Sequence, residues 1–266
     1  MRTSAYLAAN ARGQRAQAGQ FGERDSKVDV GSAIGQPVDF EWTRPGRRHG
    51  ARIIGSDPFQ VKVGFGAKPL FSRVQPPLIL ASTSAYRREL LLRLRLPFEA
   101  LPPRVAEGRV NGESPADRAL RLAYEKAQAI ASAHPDAIVI GSDQVAQAGE
   151  RQLDKPGDAQ RCSEQLALLS GGTAHFYTAC AVVSVNAGIR QAHVDTTTVL
   201  LRTLSADEIE RYVASERPFD CAGGFKAEGA GIALFERIES QDPTALIGLP
   251  LIWLAGALRA VGLPVP

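Results

Sequence analysis

The chain has 266 residues, 44% of them apolar and 22% charged, the composition of a globular protein of one or two domains. No run of 18 uncharged apolar residues occurs and Met1 to Asn10 has no apolar core, so neither a transmembrane helix nor a secretory leader is expected. The formal net charge of +3 comes from the first 76 residues, with 12 Lys and Arg against 6 Asp and Glu. The basic balance is therefore no nucleic-acid signal for the whole chain.

Residues 1–76 scatter Gly, Arg, Gln and Ala without a sustained period, and Arg44 to Gly50 is a basic run rich in breakers. The segment reads as a low-complexity basic N-terminal extension, expected to be disordered. A nucleic-acid or membrane arm is the alternative, and the lack of interleaved aromatics speaks against it. Residues 77–266 read as one domain. Leu78 to Ala81 is a short buried strand. Ser82-Thr83-Ser84 caps a helix that buries Leu90, Leu91 and Leu94. Ser114-Pro115-Ala116-Asp117 opens a second helix, with Leu120, Ala123, Ala127 and Ile130 on one face. Ala137 to Gly141 is a second buried strand, and Asp158 to Leu169 a helix stopped by Gly171-Gly172. Phe176 to Val185 and Ile189 to Leu201 form a hairpin through Asn186-Ala187-Gly188. Ser205 to Glu208 is a capping box for a helix to about Ala214. Gly231 to Ile238 reads as a strand, and Leu249 to Val261 as a last helix. The alternation predicts an α/β fold, and the long hairpin makes its sheet mixed.

Several chemistries are absent. There is no P-loop and no Gly-x-Ser-x-Gly elbow. The four histidines fit no zinc ligand spacing, and the three cysteines, Cys162, Cys180 and Cys221, fit neither a disulfide framework nor a metal site. A reducing, cytoplasmic setting is the expectation.

Four polar segments remain. Ser82-Thr83-Ser84 lies at a strand-to-helix junction followed by Arg87 and Arg88; free N–H groups, hydroxyls and a guanidinium suit a phosphate, while a plain helix cap is the simpler reading. Gly141-Ser142-Asp143-Gln144 follows a buried strand, where an acid can hold Mg²⁺ or Mn²⁺ or act as a base, or merely close an Asx-turn. Asp154-Lys155-Pro156 adds a lysine able to meet a phosphate, or an exposed turn. Asp220 to Gly229 places Lys226 and Glu228 among small residues, where Glu228 can accept from a base edge or form a salt bridge.

Together these pieces resemble the Maf family of nucleoside triphosphate pyrophosphatases. The likeness covers residues 78 to 262 and rests on ordered blocks: Leu-Ala-Ser-Thr-Ser-x-x-Arg-Arg-x-Leu-Leu at 80–91, Glu-Lys-Ala at 125–127, Ile-Gly-Ser-Asp-Gln at 140–144, Asp-Lys-Pro at 154–156, Leu-Ser-Gly at 169–171, Tyr-Thr-Ala at 177–179, Cys-Ala-Gly-Gly-Phe-Lys-Ala-Glu-Gly at 221–229 and Ile-Gly-Leu-Pro-Leu at 247–251. It implies a two-lobed Maf/ITPase-like α/β fold with a central cleft, hydrolysis of a nucleoside triphosphate to a monophosphate and diphosphate, a divalent metal cofactor (Mg or Mn), and a possible homodimer. No nucleic-acid or membrane partner is implied.

Residue by residue, the resemblance makes Asp143 the catalytic proton acceptor and, with Glu107, a metal-associated acid. It makes Ser82, Ser84, Arg87, Lys126 and Lys155 phosphate-facing. The block that usually reads Val-Asp-Glu is Val105-Ala106-Glu107 here. Tyr86, Gln144 and Glu228 occupy the specificity positions and resemble the branch acting on 7-methyl-GTP, although Tyr86 stands where tryptophan is more usual. Ser240 stands where the family usually has Gly. A cationic 7-methylguanine suits an aromatic face and a carboxylate. The alternatives are a dTTP/UTP pyrophosphatase and a non-enzymatic nucleotide-binding module.

Overall fold

A computed structural model of the chain describes residues 75–265. The basic N-terminal segment lies, except for its last two residues, outside the described residues. Among those described, seven strands form one mixed sheet: β1 (Leu78–Ala81), β2 (Glu99–Leu101), β3 (Ile138–Ala148), β4 (Arg151–Leu153), β5 (Thr173–Ser184), β6 (Ile189–Leu201) and β7 (Phe235–Glu239). The helices flanking it are α1 (Ala85–Leu92), α2 (Pro115–Ala131), α3 (Ala159–Leu169), α4 (Ala206–Glu216) and α5 (Leu251–Ala260). The strand order is β2-β1-β3-β5-β6-β7, with β4 paired to β3. β1 runs parallel to β2 and β3, and the remaining pairs are antiparallel.

Local rules set most of these boundaries. The side chains of Ser84, Ser114, Asp158 and Ser205 each accept a backbone N–H three residues on and start α1, α2, α3 and α4. Ser205 and Glu208 form the reciprocal capping box read from the sequence. Gly188, at φ 64, closes the hairpin between β5 and β6. β1 is buried along its whole length because helices cover both of its faces.

Three apolar clusters fill the two lobes. Leu78, Leu80, Ile138 and Ile140 pack against Leu90 and Leu91 of α1 and Leu254 and Leu258 of α5. On the opposite face Ile79, Ala81, Val139 and Ala181 pack against Ala119, Ala123 and Ala127 of α2. The third cluster gathers Phe176, Leu166, Val199, Leu201 and Tyr212 between the far half of the sheet and α3 and α4. The alanine row brings α2 unusually close to the sheet. At Gly141 a Cβ would collide with the Ala123 carbonyl oxygen and the Ala127 nitrogen, so only glycine fits there.

Three expectations change, and two strands come without one. The strand expected to end at Gly141 continues to Ala148, so Ser142 to Gln144 lie inside β3 and form no turn, held by antiparallel pairing such as Asp143 with Ala179. The strand expected over 231–238 is a 3-10 turn over Ala230–Leu234 followed by β7. The deepest row of α2 is Ala119, Ala123 and Ala127, with Leu120 and Ile130 flanking it only partly buried. β2 and β4, three residues each, have no local signal and exist through pairing alone.

Candidate active site

The sheet has a gap, and the gap makes the site. β1 pairs with β3 as far as Ala81 and Gly141, while β4 begins its pairing with β3 at Ala146 and Leu153. Ser142 to Val145 therefore have β5 on one side and an open edge on the other. Successive strand residues normally face opposite sides of a sheet. At an open edge both sides are reachable, so Asp143, Gln144 and Val145 all line one cleft of about 750 Å³. The structure brings Ser82, Ser84, Tyr86, Arg87, Glu107, Lys126, Asp143, Gln144, Lys155 and Glu228 to that cleft, which is every residue to which the resemblance gives a role.

On the floor of the cleft, Asp143 projects toward α2. Lys126, delivered by α2 and only 7% exposed, donates to Asp143 Oδ1 at 2.6 Å. The same ammonium lies 2.7 Å from Glu107 Oε1, on the segment before α2. Two carboxylates thus converge on one cation. Burial alone would raise the Glu107 carboxyl, but the hydrogen bond and charge of Lys126, with Lys155 and Arg87 behind it, hold it below its ordinary value. Glu107 is therefore a carboxylate at neutral pH.

Around this floor the polar groups are fixed by backbone partners. Ser82 Oγ accepts from the Ser84 N–H at 3.1 Å, and Ser84 Oγ from the Arg87 N–H at 3.4 Å. Each hydroxyl keeps its own hydrogen for a further acceptor. Arg87 Nε donates to the Gly248 carbonyl at 2.9 Å, and Ser142 Oγ donates to the same oxygen at 2.8 Å. Burial pulls the Arg87 guanidinium below its ordinary value, opposed by the charges of Asp143 and Glu107. Gly248 sits at φ 122, a backbone conformation that strains any L side chain, and a Cβ there would press on Arg87 Nε at 3.3 Å. Its loop is tied to α5 by Asp242, whose carboxylate accepts from the Thr244 hydroxyl and N–H and from the Ile252 N–H in the first turn of that helix. Lys155 is exposed at the rim.

The other end of the cleft has a different character. Tyr86 OH donates to Asp220 Oδ1 at 3.3 Å, and the Cys221 thiol lies 3.7 Å from the same hydroxyl. Burial, then Cys221 and Asp220, push the Tyr86 hydroxyl above its ordinary value. Burial likewise pushes the Cys221 thiol up to about 12, so Cys221 is no thiolate nucleophile at neutral pH. Glu228 is exposed on this wall. Lys226, its neighbour in sequence, is turned away and donates to the Glu216 carbonyl at 2.9 Å. The Gln144 amide nitrogen has three acceptors, Thr178 Oγ1 and the carbonyls of Ala245 and Leu246, which fixes its orientation and leaves only its oxygen uncommitted.

Sequence reasoning missed three contributors. Asp220 opens a block that was read for other residues. The Gly248 carbonyl carries no side-chain signal at all. Arg118 shares the α2 stripe with Leu122 and Lys126 at a spacing of four, a periodicity that was available to be read. Ala106 lies outside the cleft. It lines a separate shallow pocket of about 630 Å³ with Arg121, Glu125 and Gln128. Ser240 also lies outside it, hydrogen-bonded to Asp195, Thr197 and the Asp242 carbonyl.

No helix among the described residues is long and apolar enough to cross a membrane. A family model described as Maf-like protein matches residues 77–261. A 7-methyl-GTP pyrophosphatase of Alkalilimnicola ehrlichii is 54% identical over 190 residues, 71% of this chain and 96% of that protein. Proteins of the same name from Xanthomonas axonopodis pv. citri and Ralstonia nicotianae are 53% and 51% identical, each over 72% of this chain and over 100% and 98% of their own lengths. Among solved structures, the Staphylococcus aureus Ham1 protein aligns at 15% identity with a TM-score of 0.37, covering 58% of this chain and 89% of that one, a likeness too slight to carry any argument. The ordered blocks, the cleft at the open edge of β3 and a family match over nearly the whole described region agree: the chain belongs to the Maf family.

Proposed function

We propose that the chain hydrolyses 7-methyl-GTP to 7-methyl-GMP and diphosphate, as the names of its relatives describe for them. The observation that carries this reading is the division of the cleft. Arg87, Lys126 and Lys155 surround Asp143 and Glu107 at one end, and Tyr86, Asp220 and Glu228 line the other. A polyphosphate suits the first group, and a cationic base suits the second.

The residues act as follows. Asp143 lies on the open strand edge with Oδ1 on Lys126, and its second oxygen is left to take a proton from water. That water attacks the α-phosphorus, the bond from this phosphorus to the bridging oxygen breaks, and diphosphate leaves with the bond's electrons. Lys126, Lys155 and Arg87 stabilise the charge that gathers on the leaving oxygen. Ser82 and Ser84, each accepting from backbone, donate their hydroxyl hydrogens to phosphate oxygens. Tyr86 stacks on the base, Glu228 faces its charge and its N–H groups, and the Gln144 oxygen accepts a further base donor.

Two carboxylates meeting at one ammonium are a hard donor set that suits Mg²⁺ or Mn²⁺, cations that commonly take one or two carboxylates together with phosphate oxygens. Asp143 and Glu107 would hold the ion. Once bound, it would draw charge from the phosphate oxygens and raise the electrophilicity of phosphorus. Ala106, where the family block usually has an acid, lines the outer pocket and leaves Asp143 and Glu107 as the two acids of this cleft offered to the ion.

The test is diphosphate release from 7-methyl-GTP, GTP, dTTP, UTP and CTP by the full chain and by Glu228→Gln. The expected result is a preference for 7-methyl-GTP over dTTP that falls about tenfold in the variant, the size of one charged contact. A wild-type preference for dTTP or UTP would replace this substrate by the pyrimidine alternative. Tight nucleotide binding without product would replace the enzyme by a binding module.

A further inference from the structure

Arg118, Leu122 and Lys126 form one stripe of α2, and all three line the cleft. Arg118 stands two turns toward the helix N-terminus from Lys126, roughly 12 Å along the axis. Glu107 links the two: its carboxylate lies on Lys126, and its backbone carbonyl accepts from Arg118 Nη2 at 3.0 Å. Among the described residues that is the single side-chain hydrogen bond of Arg118. Its Nε and Nη1 are shielded from solvent and have no hydrogen-bond partner among the described residues.

A guanidinium with two unpartnered, shielded nitrogens is costly to keep. It is also a planar fork matched to phosphate oxygens. Held by one bond and only partly buried, it can turn about its last torsions to meet an anion in the cleft. With the base on the Tyr86 wall and the α-phosphorus beside Asp143, as the proposed reading has them, the β- and γ-phosphates are the part of the substrate left for Arg118, which lines the same cleft as Lys126.

We infer that Arg118 binds the terminal phosphates, the part of the substrate that leaves as diphosphate. The inference rests on the proposed pyrophosphatase reading. Its rival is that Arg118 only positions Glu107 through the carbonyl bond.

The experiment uses the 266-residue chain, Arg118→Leu and Arg118→Lys. Each is titrated calorimetrically with inorganic pyrophosphate and separately with 7-methyl-GMP, and each is melted without ligand. Arg118→Leu is expected to bind pyrophosphate about 10- to 100-fold more weakly while 7-methyl-GMP changes by less than about threefold. Its melting temperature should not fall, because the unpartnered donors are gone. Arg118→Lys should fall between the two for pyrophosphate, since it keeps the charge and loses the fork. Undiminished pyrophosphate binding in Arg118→Leu, a parallel loss of both ligands, or a wild-type chain that does not bind pyrophosphate would each overturn the inference. A wild-type chain that binds pyrophosphate but hydrolyses no triphosphate would instead remove the activity, leaving the assignment of Arg118 to be decided by the same titrations.

Discussion

Lys126 is the cation on which the floor of the cleft depends, and replacing it by Gln tests that role. The ammonium is 2.6 Å from Asp143 Oδ1 and 2.7 Å from Glu107 Oε1, and Lys126 and Asp143 are each 7% exposed. Breaking a buried pair by removing one partner costs about 3–5 kcal/mol, because the other charge is left uncompensated. The Gln amide still offers Asp143 a hydrogen bond, which favours the lower figure. Glu107, whose side chain is 57% exposed, adds no more than about 1 kcal/mol. We expect Lys126→Gln to lose about 3 kcal/mol at pH 7.5, or roughly 10 °C in melting temperature for a folded region of this size. The double variant Lys126→Gln with Asp143→Asn removes the orphaned charge and should recover much of the loss. Urea unfolding followed by far-UV circular dichroism reads all three chains. A loss below about 1 kcal/mol at pH 7.5, or a double variant no more stable than the single one, would refute the reasoning.

Two further outcomes concern the scaffold. Gly141→Ala should cost about 3 kcal/mol or more, the upper end for overpacking, because the added Cβ meets the backbone of α2 rather than a yielding side chain; thermal melting checks it, and a loss under 1 kcal/mol would mean that α2 does not lie this close to β3. Asp195 is a buried acid whose carboxyl is raised above its ordinary value by burial and then by Asp242, with His193 and Ser240 opposing. A raised acid contributes its stability below the unfolded carboxyl range and loses it as pH climbs through the folded value. Asp195→Asn should therefore gain most relative to wild type near pH 8 and least near pH 4.5 in urea titrations, and a larger gain at pH 4.5 would contradict that sign.

The sequence made the parts of the fold legible where local chemistry decides them. Ser84, Ser114, Asp158 and Ser205 announced their helices because a side-chain cap needs only its next three residues. The β5–β6 hairpin was legible for a similar reason, a glycine turn between two β-branched runs. Asp143 and Gln144 were identified as site residues but misplaced on the backbone, because a polar quartet after an apolar run looks like a turn. Pairing with β5, remote in sequence, keeps them extended. The open edge that exposes them depends on where β1 and β4 stop, and β4 has no signature of its own. The Gly248 carbonyl, which orients both Arg87 and Ser142, is a backbone atom in a loop fixed by Asp242 and Thr244, and residue types alone do not reveal it.

The most direct measurement of the central claim is hydrolysis of 7-methyl-GTP by the 266-residue chain in ¹⁸O-labelled water with Mg²⁺ or Mn²⁺, with mass analysis of both products and Asp143→Asn as the control. Attack of water on the α-phosphorus beside Asp143 places the label in 7-methyl-GMP and leaves the diphosphate unlabelled, and the control should release little of either. Label in the diphosphate or in free phosphate, or undiminished turnover by a folded Asp143→Asn chain, would contradict the account.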